Sequence, residues 1–168
     1  MTAFGNLSIP NLPTMPVSKK TIYIDMDNVL IDCPSAFHIL DEDTRQQYEG
    51  HLVDVPGIYC MMNPVPGAIE TFNQLAEKHD VYILSHVPWD NPSIWPDKLK
   101  WVKRYLGEKA FKHLILTDHK KLNHGDILID IQFDDADPFN GEVILLGSDR
   151  FKDWNKIREY LFENHLME

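Results

Sequence analysis

The sequence predicts an α/β fold: a three-layer, Rossmann-like parallel sheet with helices on both faces. Three observations carry that prediction. Short, nearly all-apolar runs recur five times along the chain, stretches of helical period lie between several of them, and the runs do not alternate with polar residues. Strands without alternation suit a parallel sheet covered on both sides. A chain of 168 residues has the length of one domain.

The first run, Thr21-Ile22-Tyr23-Ile24, is β-branched and aromatic and reads as a buried strand. Residues 1–18, with Pro10, Pro13 and Pro16 and no periodic pattern, read as an irregular tail, leaving 19–168 as the folded domain. After the Pro66-Gly67 break, Ile69, Phe72, Leu75 and Ala76 form one apolar helical stripe. The second strand is Asp80-Val81-Tyr82-Ile83-Leu84. Leu99, Val102 and Leu106 predict a helix closed by Gly107. His113-Leu114-Ile115-Leu116, Ile127-Leu128-Ile129 and Val143-Ile144-Leu145-Leu146 complete the strands, and Trp154, Ile157 and Leu161 mark a last helix.

Sixteen basic side chains against 26 acidic ones give a formal net charge of −10. That excludes a general grip on nucleic-acid polymers or anionic membrane surfaces, which need a basic face. The longest apolar runs reach five or six residues, where a membrane span needs roughly 20. Two cysteines, Cys33 and Cys60, suit a reducing compartment. The first twenty residues lack a basic start ahead of a long apolar stretch, so a cytoplasmic setting is expected.

Open parallel sheets place their sites beyond the carboxyl ends of the strands, so what each strand delivers matters. The first delivers Asp25-Met26-Asp27-Asn28, where carboxylates two apart let a side chain and a backbone carbonyl face one cation. The second delivers Ser85. The third is followed by Asp118-His119-Lys120-Lys121. The fourth delivers Asp130, with Asp126 before it and Asp134, Asp135 and Asp137 after. Two carboxylates ~4 Å apart repel by about 4 kcal/mol at an effective dielectric near 20. Convergence of Asp25, Asp27 and Asp130 would therefore call for a divalent cation or a raised carboxyl pKa, and an all-oxygen set suits Mg²⁺. Singly, each piece has an ordinary reading: a chance D-x-D, a turn serine, a solvated lysine pair. Their order, each at or just behind a strand end, is what makes the set specific. The histidines His86, His113, His119 and His124 have no regular metal-ligand spacing.

In these residues the sequence resembles the haloacid dehalogenase superfamily of phosphohydrolases. Asp25 to Leu30 is similar to its first motif, Ser85 to its second, Lys120 to its third and Asp126 to Asp130 to its fourth. Pro64-Val65-Pro66-Gly67-Ala68, Val81 to Ser85, Asp97-Lys98 with Trp101-Val102, Tyr105 and Gly107, and Gly125 to Asp130 resemble the 5′(3′)-deoxyribonucleotidases. Three positions depart from that pattern: Asn28 stands where relatives carry glycine, His86 follows Ser85 in place of a second hydroxyl, and Ile131 follows Asp130 in place of a second aspartate.

The resemblance implies Mg²⁺-dependent hydrolysis of a phosphate monoester through an aspartyl-phosphate. Asp25 would be the nucleophile and Asp27 the general acid and base. Ser85 and Lys120 would hold the phosphoryl group, Asp25, Asp27 and Asp130 the metal, and Asn28, His86 and Lys98 would face the substrate. A solvated lysine at a helix start is the alternative for Lys98. Residues 33–64 would form a small helical cap. The implied substrate is a deoxyribonucleoside monophosphate; another small ester such as a sugar phosphate, or a weakly active or non-catalytic phosphate binder altered at Ile131, are the competing readings. Trp89, Trp95, Phe37 and Tyr59 are candidates to stack a base, with packing the commoner role for each. Assembly as a homodimer is left open.

Overall fold

A computed structural model describes residues 18–87, 89, 91–132 and 139–168. Residues 1–17 of the expected tail, together with Asp134, Asp135 and Asp137, lie outside the described residues. Five parallel strands form the central sheet in the order β5-β4-β1-β6-β7. They are β1 (Thr21–Ile24), β4 (Asp80–Ser85), β5 (Leu114–Leu116), β6 (Ile127–Asp130) and β7 (Glu142–Leu145). A two-residue pair, β2 (Ile31–Asp32) with β3 (Asn63–Pro64), is antiparallel and separate.

Register fixes which side chains can meet. Ile24 of β1 is level with Ile83 of β4 and Ile129 of β6. The residues that follow, Asp25, Leu84 with Ser85, and Asp130, therefore leave the sheet side by side. The chain order puts β1 in the middle, so three adjacent strands converge on one rim.

Side chains on successive strand residues face opposite ways. Ile22, Ile24, Val81, Ile83, Ile127 and Ile129 are buried in one large core with Phe72 and Leu75 of α2 (Ala68–Lys78), Trp101 and Val102 of α3 (Ile94–Tyr105), and Trp154, Ile157 and Leu161 of α4 (Trp154–Glu163). Tyr23, Leu84 and Leu128 form a smaller cluster with Tyr82, Ile115 and Phe139. Helical cover among the described residues is thus unequal on the two faces. The reason is the β5–β6 connection, which contains a single 3-10 turn, Lys120–Leu122, where a full helix would otherwise pass.

The helices start and stop for local reasons. Asp153 caps α4 by accepting from the backbone N–H groups of Asn155 and Lys156 at 2.8 and 3.1 Å. Helix α3 begins at Ile94, five residues ahead of the first apolar position that marked it in the sequence. Its early residues include Pro96, and proline is tolerated in a first turn, where the N–H has no helical partner. Between β2 and β3 the chain makes three 3-10 turns, Cys33–Ile39, Leu52–Asp54 and Ile58–Met61, and one short helix, α1 (Glu42–Gln47). No helix among the described residues is long and apolar enough to cross a membrane.

At the amino ends of the strands the backbones touch. A Cβ on Gly141 would stand 2.4 Å from the Gly125 carbonyl oxygen. Asp126 also faces this end: its carboxylate accepts from Thr21 N–H at 2.8 Å and from Lys20 at 3.1 Å. It is therefore remote from the acidic group with which its sequence position associates it.

Candidate active site

The loop after β1 turns sharply because Asn28 adopts a left-handed conformation, φ 57°. Asparagine tolerates that region better than other non-glycine residues. The N–H groups of Leu30 and Ile31 both donate to the Met26 carbonyl, at 3.0 and 2.9 Å, and Asn28 Oδ1 accepts from Cys33 N–H at 3.3 Å. The indole of Trp154 donates to the Val29 carbonyl at 2.8 Å, tying the loop to α4. Two aspartates are thereby presented from a rigid turn.

Each meets a lysine. Lys120 Nζ lies 2.5 Å from Asp25 Oδ1 and 2.9 Å from Asp130 Oδ2, so one ammonium joins the first and fourth strand-end acids. Asp130 Oδ1 accepts from the N–H groups of Ile131 and Gln132 at 2.7 and 3.1 Å. Lys98, 0 % exposed, donates from α3 to Asp27 Oδ2 at 2.7 Å, Ser85 Oγ at 2.8 Å and the His86 carbonyl at 2.9 Å. Lys98 is accordingly no solvated helix lysine. Tyr59, also buried, donates its hydroxyl to Asp27 Oδ2 at 3.2 Å. Asp27 Oδ1 is screened from solvent and has no hydrogen-bond partner among the described residues.

These groups surround a cleft of about 700 Å³ lined by Asp25, Asp27, Asn28, His86, Lys120 and Asp130, with Asp118, His119, Gln132 and Phe139 among its other walls. His86 Nδ1 sits 3.2 Å from Asp118 Oδ1 at its mouth. Burial pushes the Asp25 carboxyl up to about 6, with Lys120 pulling it down and Asp130 pushing it further up. Burial alone would lower the Lys120 ammonium, but Asp25 and Asp130 together hold it above its ordinary value. Burial and the neighbouring Asp27 carboxylate raise the Tyr59 hydroxyl, so Tyr59 is a donor at any ordinary pH.

The eight site residues named from the sequence fall into one neighbourhood. Six line the cleft, and the two others, Ser85 and Lys98, are buried behind it and bonded to each other. The Asp27 side chain is turned to Lys98 and Tyr59, while Asp25 and Asp130 share Lys120. Among the described residues no three acidic, histidine or cysteine side chains form a ready metal cage. What is present is two carboxylates on one point, in an oxygen-rich cleft. That fits a hard cation which takes one or two carboxylates and fills its remaining positions with backbone carbonyl, water and phosphate oxygens.

Of the aromatic residues considered for base stacking, with packing the commoner role for each, Tyr59 is buried with its hydroxyl on Asp27. Trp89 is 82 % exposed, and Trp95 lines a separate apolar groove with Leu99 and Phe111. Phe37 packs partly buried against the core. The aromatic ring that does line the cleft, Phe139, carried no sequence signal beyond its apolar character.

The profile of the family described as 5′ nucleotidase, deoxy (pyrimidine), cytosolic type C protein matches residues 32–158. The chain belongs to this family. The family lies within the haloacid dehalogenase superfamily, and the protein is a phosphoric monoester hydrolase by class. The match begins just after the Asp25–Leu30 loop, which the geometry above supplies independently. A protein of Vibrio phage KVP40, provisionally named a 5′(3′)-deoxyribonucleotidase, is 49% identical over 144 residues, 85% of either chain. A Bordetella parapertussis protein with the same provisional name is 38% identical over 110 residues, 63% of this chain and 59% of its own. The human 5′(3′)-deoxyribonucleotidase, cytosolic type, is 25% identical over 150 residues, 72% of this chain and 73% of its own.

Proposed function

We propose that the protein hydrolyses deoxyribonucleoside monophosphates, with Mg²⁺, through an aspartyl-phosphate on Asp25. The observation that carries this reading is the paired arrangement in one cleft: Asp25 and Asp130 on Lys120, beside Asp27 and Ser85 on Lys98. Phosphoryl transfer needs in-line positioning and neutralised charge more than covalent help from the protein.

In the first step an Asp25 carboxylate oxygen attacks phosphorus and the bond to the ester oxygen breaks. Asp27 gives its proton to the departing oxygen. In the second step Asp27 takes a proton from water, the water oxygen attacks phosphorus, and Asp25 is released with inorganic phosphate. Lys120 offsets charge on the phosphoryl oxygens and on Asp25, while the Ser85 hydroxyl, held by Lys98, would bond the same group. Asn28 and His86 stand at the mouth to meet the rest of the substrate, with Phe139 as its apolar wall.

The Asp25 and Asp130 carboxylates and the Asp27 backbone carbonyl would hold Mg²⁺. Bound there, the ion supplies charge stabilisation to the transferring phosphoryl group. Ile131 contributes its N–H to Asp130, which keeps that carboxylate oriented without a second aspartate. Residues 33–64 act as a small cap, and the domain as a whole spans 19–168. The name of the human relative supports a cytoplasmic setting.

The test is phosphate release from a panel of deoxyribonucleoside 5′- and 3′-monophosphates and sugar phosphates, with Mg²⁺ and with chelator. Deoxyribonucleotide turnover that needs Mg²⁺ and vanishes in Asp25→Asn is expected. Preference for sugar phosphates overturns the substrate; full turnover in Asp25→Asn overturns the nucleophile.

A further inference from the structure

Residue 59 reaches Asp27 from far along the chain, and three contacts bring it there. The turn Ile58–Met61 is bonded to α3 on both sides: Gly57 N–H donates to Asp97 Oδ2 at 2.8 Å, and the Trp101 indole donates to the Met62 carbonyl at 3.0 Å. Arg104 adds a bond to the Cys60 carbonyl at 3.3 Å. Gly57 enters the turn with φ 83°, a conformation that glycine adopts without strain. The same helix carries Lys98, whose ammonium lies 4.9 Å from the centre of the Tyr59 ring. Tyr59 and Lys98 therefore arrive at Asp27 as one unit, and both bind the same oxygen, Oδ2.

That choice of oxygen has a chemical consequence. A carboxyl with one oxygen fixed by two donors cannot rotate freely, and its other oxygen is held in one direction. Asp27 Oδ1, buried and without a partner among the described residues, offers no bond that would compete with that orientation. We infer that Tyr59 is a positioning residue for leaving-group protonation: its hydroxyl, with Lys98, fixes the orientation of the Asp27 carboxyl that gives its proton to the departing ester oxygen. The inference rests on the acid role given to Asp27 above. Through Tyr59 the insertion between β2 and β3 takes part in catalysis.

The experiment compares phenyl phosphate with p-nitrophenyl phosphate, alike in shape but unequal in how much their leaving oxygen needs a proton. The value kcat/KM covers the steps up to release of the alcohol or phenol, so it isolates this proton transfer. It is measured on the full chain with Mg²⁺ for wild type, Tyr59→Phe and Asp27→Asn. Tyr59→Phe is expected to lose about tenfold on phenyl phosphate, the scale of a misaligned catalytic group, and less than about twofold on p-nitrophenyl phosphate. Asp27→Asn is expected to show the same split, larger. Both substrates are read on one preparation, so a partly unfolded variant lowers both values equally and leaves their ratio intact. A split in Asp27→Asn with equal losses, or none, in Tyr59→Phe overturns the role of Tyr59 alone. No split in Asp27→Asn overturns the acid role and the inference with it.

Discussion

Replacing Lys98 by methionine removes the charge that binds two sides of the cleft while keeping most of the side-chain volume. The ammonium is 0 % exposed and donates to three acceptors at 2.7, 2.8 and 2.9 Å. Its loss leaves the Asp27 carboxylate with Tyr59, and leaves Ser85 Oγ with one long contact to the His86 carbonyl, 3.4 Å. Breaking one partner out of a buried ion pair costs about 3–5 kcal/mol. The Asp27 side chain is 34% exposed, so water recovers part of that and the lower end, about 3 kcal/mol, is expected. At about 2–4 °C per kcal/mol for a chain of this size, Tm falls by about 6–12 °C. Urea denaturation monitored by tryptophan fluorescence measures the loss, and the double variant Lys98→Met/Asp27→Asn tests its origin. Once the carboxylate is neutral, removing the ammonium should cost about 2 kcal/mol less than it does alone. A loss below about 1 kcal/mol in Lys98→Met, or strict additivity in the pair, refutes the reasoning.

Three further outcomes are expected. Asp25, raised from 3.8 to about 6 by burial, favours folding fully below pH ~4 and loses that contribution as pH rises through 6, an effect of up to ~3 kcal/mol. In chelator, Asp25→Asn should therefore gain stability relative to wild type between pH 4 and 7, and a gap constant with pH contradicts this. Asp126→Ala should cost about 1 kcal/mol, for the lost bond to Thr21 N–H, with phosphatase activity unchanged. Because Thr21 and Lys20 lower the Asp126 carboxyl, its contribution is present above the ordinary carboxylate pKa and fades as pH falls below it. Cys33 is buried, and burial with the nearby Asp27 charge pushes its thiol up to about 12. Iodoacetamide at pH 8 should label half-buried Cys60 well before Cys33, read by mass spectrometry; equal labelling of the native protein counts against the buried geometry.

The residues legible in the sequence are those whose position follows from the ends of strands. Asp25, Ser85 and Asp130 each stop an apolar run, and the sheet aligns those stops. Lys120 was legible because a short loop behind β5 cannot carry it far. Asp126 misled because sequence proximity to Asp130 hides the direction of the strand: at about 3.3 Å per residue, four residues separate the two by about 13 Å and put them at opposite ends. Lys98 and Tyr59 were not legible as partners of Asp27. A lysine beside Asp97 near a helix start ordinarily faces water, and its burial depends on how α3 is rotated against the insertion. The bond from Tyr59 crosses 32 residues of irregular turns. No period or spacing in the sequence records such a meeting; it exists only once α3 and the turn at 58–61 have packed.

The close approach of Gly125 and Gly141 at the foot of the sheet assigns separate duties to its two ends. Main chain against main chain leaves no room below for a larger side chain, so diversity there is constrained by space alone. The upper rim is built from loops and side chains that can be exchanged one at a time. Laboratory evolution toward new phosphate esters should therefore concentrate its accepted changes around the cleft. Fusion partners or surface attachments belong on the outer loops of the lower end, where they disturb no step of the chemistry.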